Sequence, residues 1–211
     1  MKGLESLLYL MPQSMIMKST LTFFLILLMV QLSAQDKTLP YHEIPAHSET
    51  FTAGAVAARV IDGLGFRFYW ATEGLRSEDL SFKPSTEART SLETVEHIYE
   101  MSILILNATA KMPNVSGQDK KLPFVEMRKV TLKNLKAASD RLRISTDQQM
   151  KDFRVIFKGD NEASLEFPFW NLLNGPIEDC IWHAGQIVSF RRSSGNPFNE
   201  KANVFTGTLD K

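Results

Sequence analysis

His97, Asp179 and His183 are the residues of this chain whose types and spacing can do chemistry together. Asp179 and His183 stand at i and i+4 of the run Pro176-Ile-Glu-Asp-Cys-Ile-Trp-His-Ala-Gly-Gln-Ile-Val-Ser-Phe-Arg-Arg192, which reads as a helix. Both therefore project from one face. A carboxylate and an imidazole one turn apart can grip a single ion. An imidazole from a facing helix, His97, completes a set of three and leaves coordination positions open for water or substrate. Two nitrogens and one oxygen suit zinc, iron(II), nickel or manganese, with zinc preferred on general grounds. An ion held in this way can activate water or polarise a substrate oxygen. Glu100, one turn beyond His97, is placed to serve as general base or to orient a ligand, and Gln186 can donate to a bound water. The same residues admit a second reading. An aspartate and a histidine on one face also satisfy each other in a core with no ion between them.

The helices that must position these residues are legible from apolar spacing. Pro176 suits the first helical position, where its missing N–H has no partner to lose. Glu178 and Asp179 in the first turn and Arg191 and Arg192 in the last complement the helix dipole, and Gly195-Asn196-Pro197 supplies the stop. Ile177, Ile181, Ala184 and Val188 line one side and Trp182 another, so the helix reads as buried on most sides. His97 sits in a helix opened by Ser91, with Thr94 as a competing cap. Leu92, Val95, Ile98, Ser102, Ile105 and Leu106 form its apolar face, while Glu93, His97, Glu100 and Leu104 share the adjoining stripe. A helix over about 52–73 carries Val56, Val60, Leu64 and Phe68 at helical spacing, broadened by Ile61 and Trp70. A further helix over about 123–142 has a basic outer face of Arg128, Lys129, Lys133 and Lys136.

Between the third and last helices, 151–157 and 163–167 read as a β-hairpin. Residues 35–50 read as an extended arm bearing His42 and His47 as solvent-exposed polar residues, and 198–211 as an irregular tail. The whole predicts an all-α chain. Residues 51–197 form a four-helix bundle with a small β-hairpin inserted before the last helix.

Composition narrows the function classes. Twenty-four basic and 24 acidic residues cancel, which leaves no electrostatic footprint for nucleic acid. A single cysteine, Cys180, excludes an intrachain disulfide and a multi-thiolate zinc site, and its apolar setting marks it as a packed small hydrophobe. No HExxH, Walker loop, GxSxG or dinucleotide fingerprint is present. Lys18, the apolar run Leu21 to Val30 and the small residue Ala34 have the layout of a secretory signal over 1–34. Met17 is a natural start, so 1–16 read as an over-extended frame. The expectation is an exported chain, periplasmic or extracellular after cleavage near Ala34, with no stable membrane span left.

Two segments carry a resemblance. Leu92-Glu-Thr-Val-Glu-His-Ile-Tyr-Glu100 and Asn174-Gly-Pro-Ile-Glu-Asp-Cys-Ile-Trp-His-Ala-Gly-Gln-Ile-Val-Ser-Phe-Arg-Arg-Ser-Ser-Gly-Asn-Pro197 resemble the DinB-like (YfiT-like) family of metal-dependent four-helix bundles. The likeness extends over roughly residues 52–197 and is most specific in His183-Ala-Gly-Gln-Ile187. It implies a divalent metal held by one histidine on the second helix and a His-x-x-x-His pair on the last. His97 and His183 match, and Asp179 stands where the pair has its other histidine. Some relatives are transferases that use mycothiol or bacillithiol, a chemistry that export of this chain weighs against. The reading is an exported metal-dependent hydrolase or transferase acting on a small molecule, with a homodimer a common outcome for bundles. Its competitors are a small-ligand-binding bundle, with a pocket walled by Trp182, Phe190 and Trp70, and a purely structural one.

Overall fold

The computed structural model describes residues 39–115, 121–159 and 164–211. The signal segment read over 1–34 and the hairpin turn at Asp160-Asn161 lie outside the described residues. The described chain is predominantly helical. Helix α1 (Ala53–Thr72) starts at Thr52, whose hydroxyl accepts from Ala55 N at 3.1 Å. After a short α2 (Ser77–Ser81), α3 (Ser91–Ala110) starts at Thr90 rather than at Ser91 or Thr94. Glu93 decides this: its backbone N–H donates to Thr90 Oγ1 at 3.1 Å while its carboxylate accepts from Thr90 N at 2.7 Å, satisfying two end groups reciprocally. Helix α4 (Phe124–Arg143) follows, then a single turn, α5 (Asp147–Met150).

The expected hairpin is present as β2 (Arg154–Lys158) antiparallel to β3 (Ser164–Pro168). It gains a third strand from what reads as loop: β1 (Asn114–Val115) pairs parallel with β2. Asn114 Nδ2 donates to Ile156 O at 3.0 Å, a side-chain tie that apolar spacing does not reveal. The tail is less irregular than its sequence reads, because β4 (Ala202–Asn203) and β5 (Thr208–Leu209) form a small ladder. Gly207, at φ +75°, makes that turn possible and accepts from Ile44 N of the arm at 2.8 Å.

The last helical run also begins earlier than Pro176. It starts as α6 (Phe169–Leu172), widens into a π turn over Leu173–Ile177, and continues as α7 (Glu178–Ser193). Pro176 lies inside the π turn, where wider i→i+5 bonding accommodates a residue that cannot donate.

Helix α1 packs on α4 and α7, and α3 packs on the same two. Alpha-1 and α4 run antiparallel in close contact: a Cβ on Gly54 would collide with the Leu142 carbonyl oxygen, and Ser139 Oγ donates to Ala58 O. This approach selects the small-residue side of α1. Ala57, Ala58, Ile61, Leu64 and Phe68 are buried, whereas Val56 and Val60, expected inside, remain 51% and 38% exposed. Trp182 departs more sharply from its expected burial, at 73% exposed, because α7 buries the Cys180, Ala184, Ile187 and Arg191 stripe instead.

Buried charge fixes the helix ends. Arg128, read as part of a solvated face, is buried: its guanidinium donates to Thr72 Oγ1 and Glu73 Oε2 and lies 4.6 Å over the Tyr69 ring. Asp62, inaccessible on α1, accepts from the Tyr41 and Ser139 hydroxyls and from Arg143. His42 of the arm is half-buried rather than exposed, with its ring 5.1 Å from that of Trp70, whose indole N–H donates to the His42 carbonyl. Arg191 closes the C-terminus of α1 by donating from one nitrogen to the carbonyls of Trp70, Ala71 and Glu73 at 2.9–3.1 Å. Asp79 lies beside it and accepts from Arg76 twice through the side chain and once through the backbone, from Ser194 Oγ and from Asn196 Nδ2. The lock therefore ties α2 and the end of α7 to the end of α1.

Two outcomes follow from this lock. Arg191→Met leaves three helix-terminal carbonyls without their donor, and urea denaturation should show a loss of about 3 kcal/mol. The Arg76 guanidinium first, then Ser194 and Asn196, hold the Asp79 carboxyl below the usual carboxylate range. A depressed folded value contributes stability above the unfolded value of about 4, and this is lost as the pH falls through the folded one. The thermal midpoint should drop between about pH 4 and pH 2, and Asp79→Asn should flatten that slope; an unchanged slope contradicts the assignment.

Candidate metal centre

The three residues singled out by spacing converge. His97, Asp179 and His183 each offer a ligand atom, and these atoms lie within 4.8 Å of one another. His97 comes from the second turn of α3, and the other two from the first two turns of α7. His97 Nε2 is 2.9 Å from Asp179 Oδ2, and His183 Nε2 is 3.4 Å from Asp179 Oδ1. The two imidazole rings meet edge to face at 89°, centroids 4.8 Å apart, so their nitrogens approach one carboxylate from different directions. Ligand bonds of about 2.0–2.1 Å place neighbouring donors roughly 3.0 Å apart at right angles and about 3.4 Å apart in a tetrahedron. The two separations from Asp179 fall near that range, while the set as a whole spreads to 4.8 Å, so the imidazoles must draw together to share one ion.

Gln186 sharpens the chemistry. Its Oε1 lies 2.7 Å from His183 Nδ1, an arrangement that satisfies a hydrogen on Nδ1. In that tautomer Nε2 presents a lone pair toward a carboxylate oxygen 3.4 Å away. A proton, a water or a metal ion between them satisfies both acceptors. A ring nitrogen steered by a hydrogen bond on its other nitrogen is the usual arrangement around a bound metal. Gln186 thus orients His183 directly, a role different from donation to a bound water.

The set is half open. Side chains of His97, Asp179 and His183 are 22%, 38% and 15% exposed, which leaves one side for water or substrate. Cys180 cannot join it: the thiol is fully buried toward the core, and burial, with Asp179 adding to it, pushes its pKa well above the ordinary thiol range. Glu100 is exposed on α3 one turn beyond His97 and stands outside the three-ligand set. Trp182 stands on the same stripe of α7 as Asp179, His183 and Gln186 and projects to solvent. Trp182, Phe190 and Trp70 do not wall a common pocket. Phe190 packs on Phe82 with centroids 5.9 Å apart, and Trp70 is enclosed by His42, Phe66 and Tyr69.

Residues that hold the site in place went unread in the sequence. Arg191 stands on the Cys180–Ala184–Ile187 stripe, and a charged side chain on a buried stripe signals an internal partner. Arg128, on the Thr131–Leu132–Leu135 stripe of α4, carries the same signal. Searches for related proteins found nothing similar: no family model, no curated protein and no solved structure matches this chain.

If Gln186 orients His183 for an ion, Gln186→Leu should weaken zinc binding about 10- to 100-fold in competition with a chromophoric chelator, with helix content unchanged. Equal affinity would show that His183 needs no such support.

Proposed function

We propose that this chain is an exported four-helix-bundle protein of the DinB-like kind that holds one divalent metal, zinc first, with His97, Asp179 and His183. The observation that carries the reading is the convergence of the three donors, with His183 Nδ1 already engaged by Gln186. The resemblance in Leu92–Glu100 and Asn174–Pro197 supports it independently, since it points to the same positions. Two imidazoles and a carboxylate bind a 2+ ion with one net negative charge and leave coordination positions free. The ion supplies Lewis acidity when bound. The chain's residues do the rest: His97 and His183 orient the site, Asp179 balances charge, and Glu100 takes or returns a proton at the open side. The reaction class is hydrolysis or group transfer on a small molecule.

A second reading has its own observation. Asp179 lies within reach of both imidazoles, so a shared proton can also satisfy the cluster, leaving a structural or ligand-binding bundle without a metal.

Elemental analysis of protein purified without an affinity tag separates the two. The metal reading expects one equivalent of metal per chain, abolished in the His97→Ala/His183→Ala double variant. A full equivalent retained by that variant, or a chain that takes up no zinc after dialysis against it, overturns it. In a panel of ester, amide and thiol-transfer substrates, Glu100→Gln should lower turnover about 10²- to 10⁴-fold with metal content unchanged.

A further inference from the structure

A cavity elsewhere in the fold shares no residue with the ligand set. It measures about 710 Å³, within the ~300–1,000 Å³ typical of small-molecule sites, and lies between the start of α1, α5, the first residue of β2, and α6. Its walls are apolar: Phe51, Val56, Val60, Met150, Phe169 and Trp170. Several of these are left facing solvent, Phe51 at 95%, Trp170 at 75% and Val56 at 51%, although each is large enough that a chain normally buries it. The charged residues that line the cleft are Lys151 and Arg154 against Asp147 alone. Lys151 has no ion pair among the described residues, and its neighbour Asp152 is turned away to Lys111 at 3.0 Å. Among the described residues Arg154 has a single loose ion-pair partner, Glu166 at 3.9 Å. An open apolar cleft with two under-used cations on its wall is complementary to a molecule with a long apolar body and one anionic head.

We propose that this cleft binds a free fatty acid, with the alkyl chain between α1 and α6 and the carboxylate at Lys151 and Arg154. The site is independent of the metal reading. The test titrates the full chain carrying Trp182→Phe, so that Trp170 is the exposed emitter, with dodecanoate below its micellar concentration. Trp170 emission should shift to the blue and saturate, with the same affinity in the His97→Ala/His183→Ala background. Lys151→Gln/Arg154→Gln should weaken dodecanoate at least tenfold while leaving dodecanol unchanged, and Val56→Phe should block both by filling the cleft. Absence of a saturable shift, equal affinity for acid and alcohol in the unaltered cleft, or a preference for phospholipid vesicles over monomeric dodecanoate overturns the proposal. So does a ligand-independent dimer whose interface already covers Trp170.

Discussion

The site depends on one electrostatic constraint: two imidazole Nε2 atoms approach the two oxygens of a single carboxylate, at 2.9 and 3.4 Å. Gln186 Oε1 lies 2.7 Å from His183 Nδ1, so a hydrogen on that nitrogen is satisfied there and the far nitrogen faces Asp179. The three donors are close enough together to hold a metal ion. Proton and metal differ in what they ask of the surroundings. A proton is satisfied by one short contact, whereas a divalent ion requires all three donors at once and rewards a geometry with an open side. The edge-to-face rings and the partial exposure of the three side chains leave the site an open side.

Holding that geometry falls to groups remote from it. Asp179 and His183 lie in the first half of α7, and the second half is anchored by Arg191 to the last carbonyls of α1. Asn196 joins Gly74 O to the Asp79 carboxylate, so the end of α7, α2 and the end of α1 act as one unit. At the other end, the π turn around Pro176 sets the rotation with which α7 starts. His97 depends on α3, whose entry is fixed by the Thr90–Glu93 capping box, one turn ahead of the ligand. The three donors thus rest on α7, tied at both ends, and near the capped start of α3, which favours precise placement.

Apolar periodicity made the long helices legible, and i, i+4 spacing placed Asp179 and His183 on one face. The partnership with His97 was readable because the chain has four histidines, two of which, His42 and His47, lie in the arm. Burial was less legible, for a steric reason. Gly54 and Ala58 let α1 and α4 approach closely, which turned the Val56–Val60 side outward against the hydropathy pattern. Arg128 and Arg191 look like surface charge until the end of α1 is in place, and the groups they serve there lie more than fifty residues away in sequence. Short strands such as β1 rest on a side-chain hydrogen bond from Asn114 that no period encodes.

X-ray absorption at the zinc edge of the loaded protein tests the shared-cation account most directly. It predicts a first shell of nitrogen and oxygen at about 2.0–2.1 Å with the outer-shell scattering of two imidazoles and no sulfur near 2.3 Å. A spectrum without imidazole scattering, or one containing a zinc–sulfur distance, would contradict it.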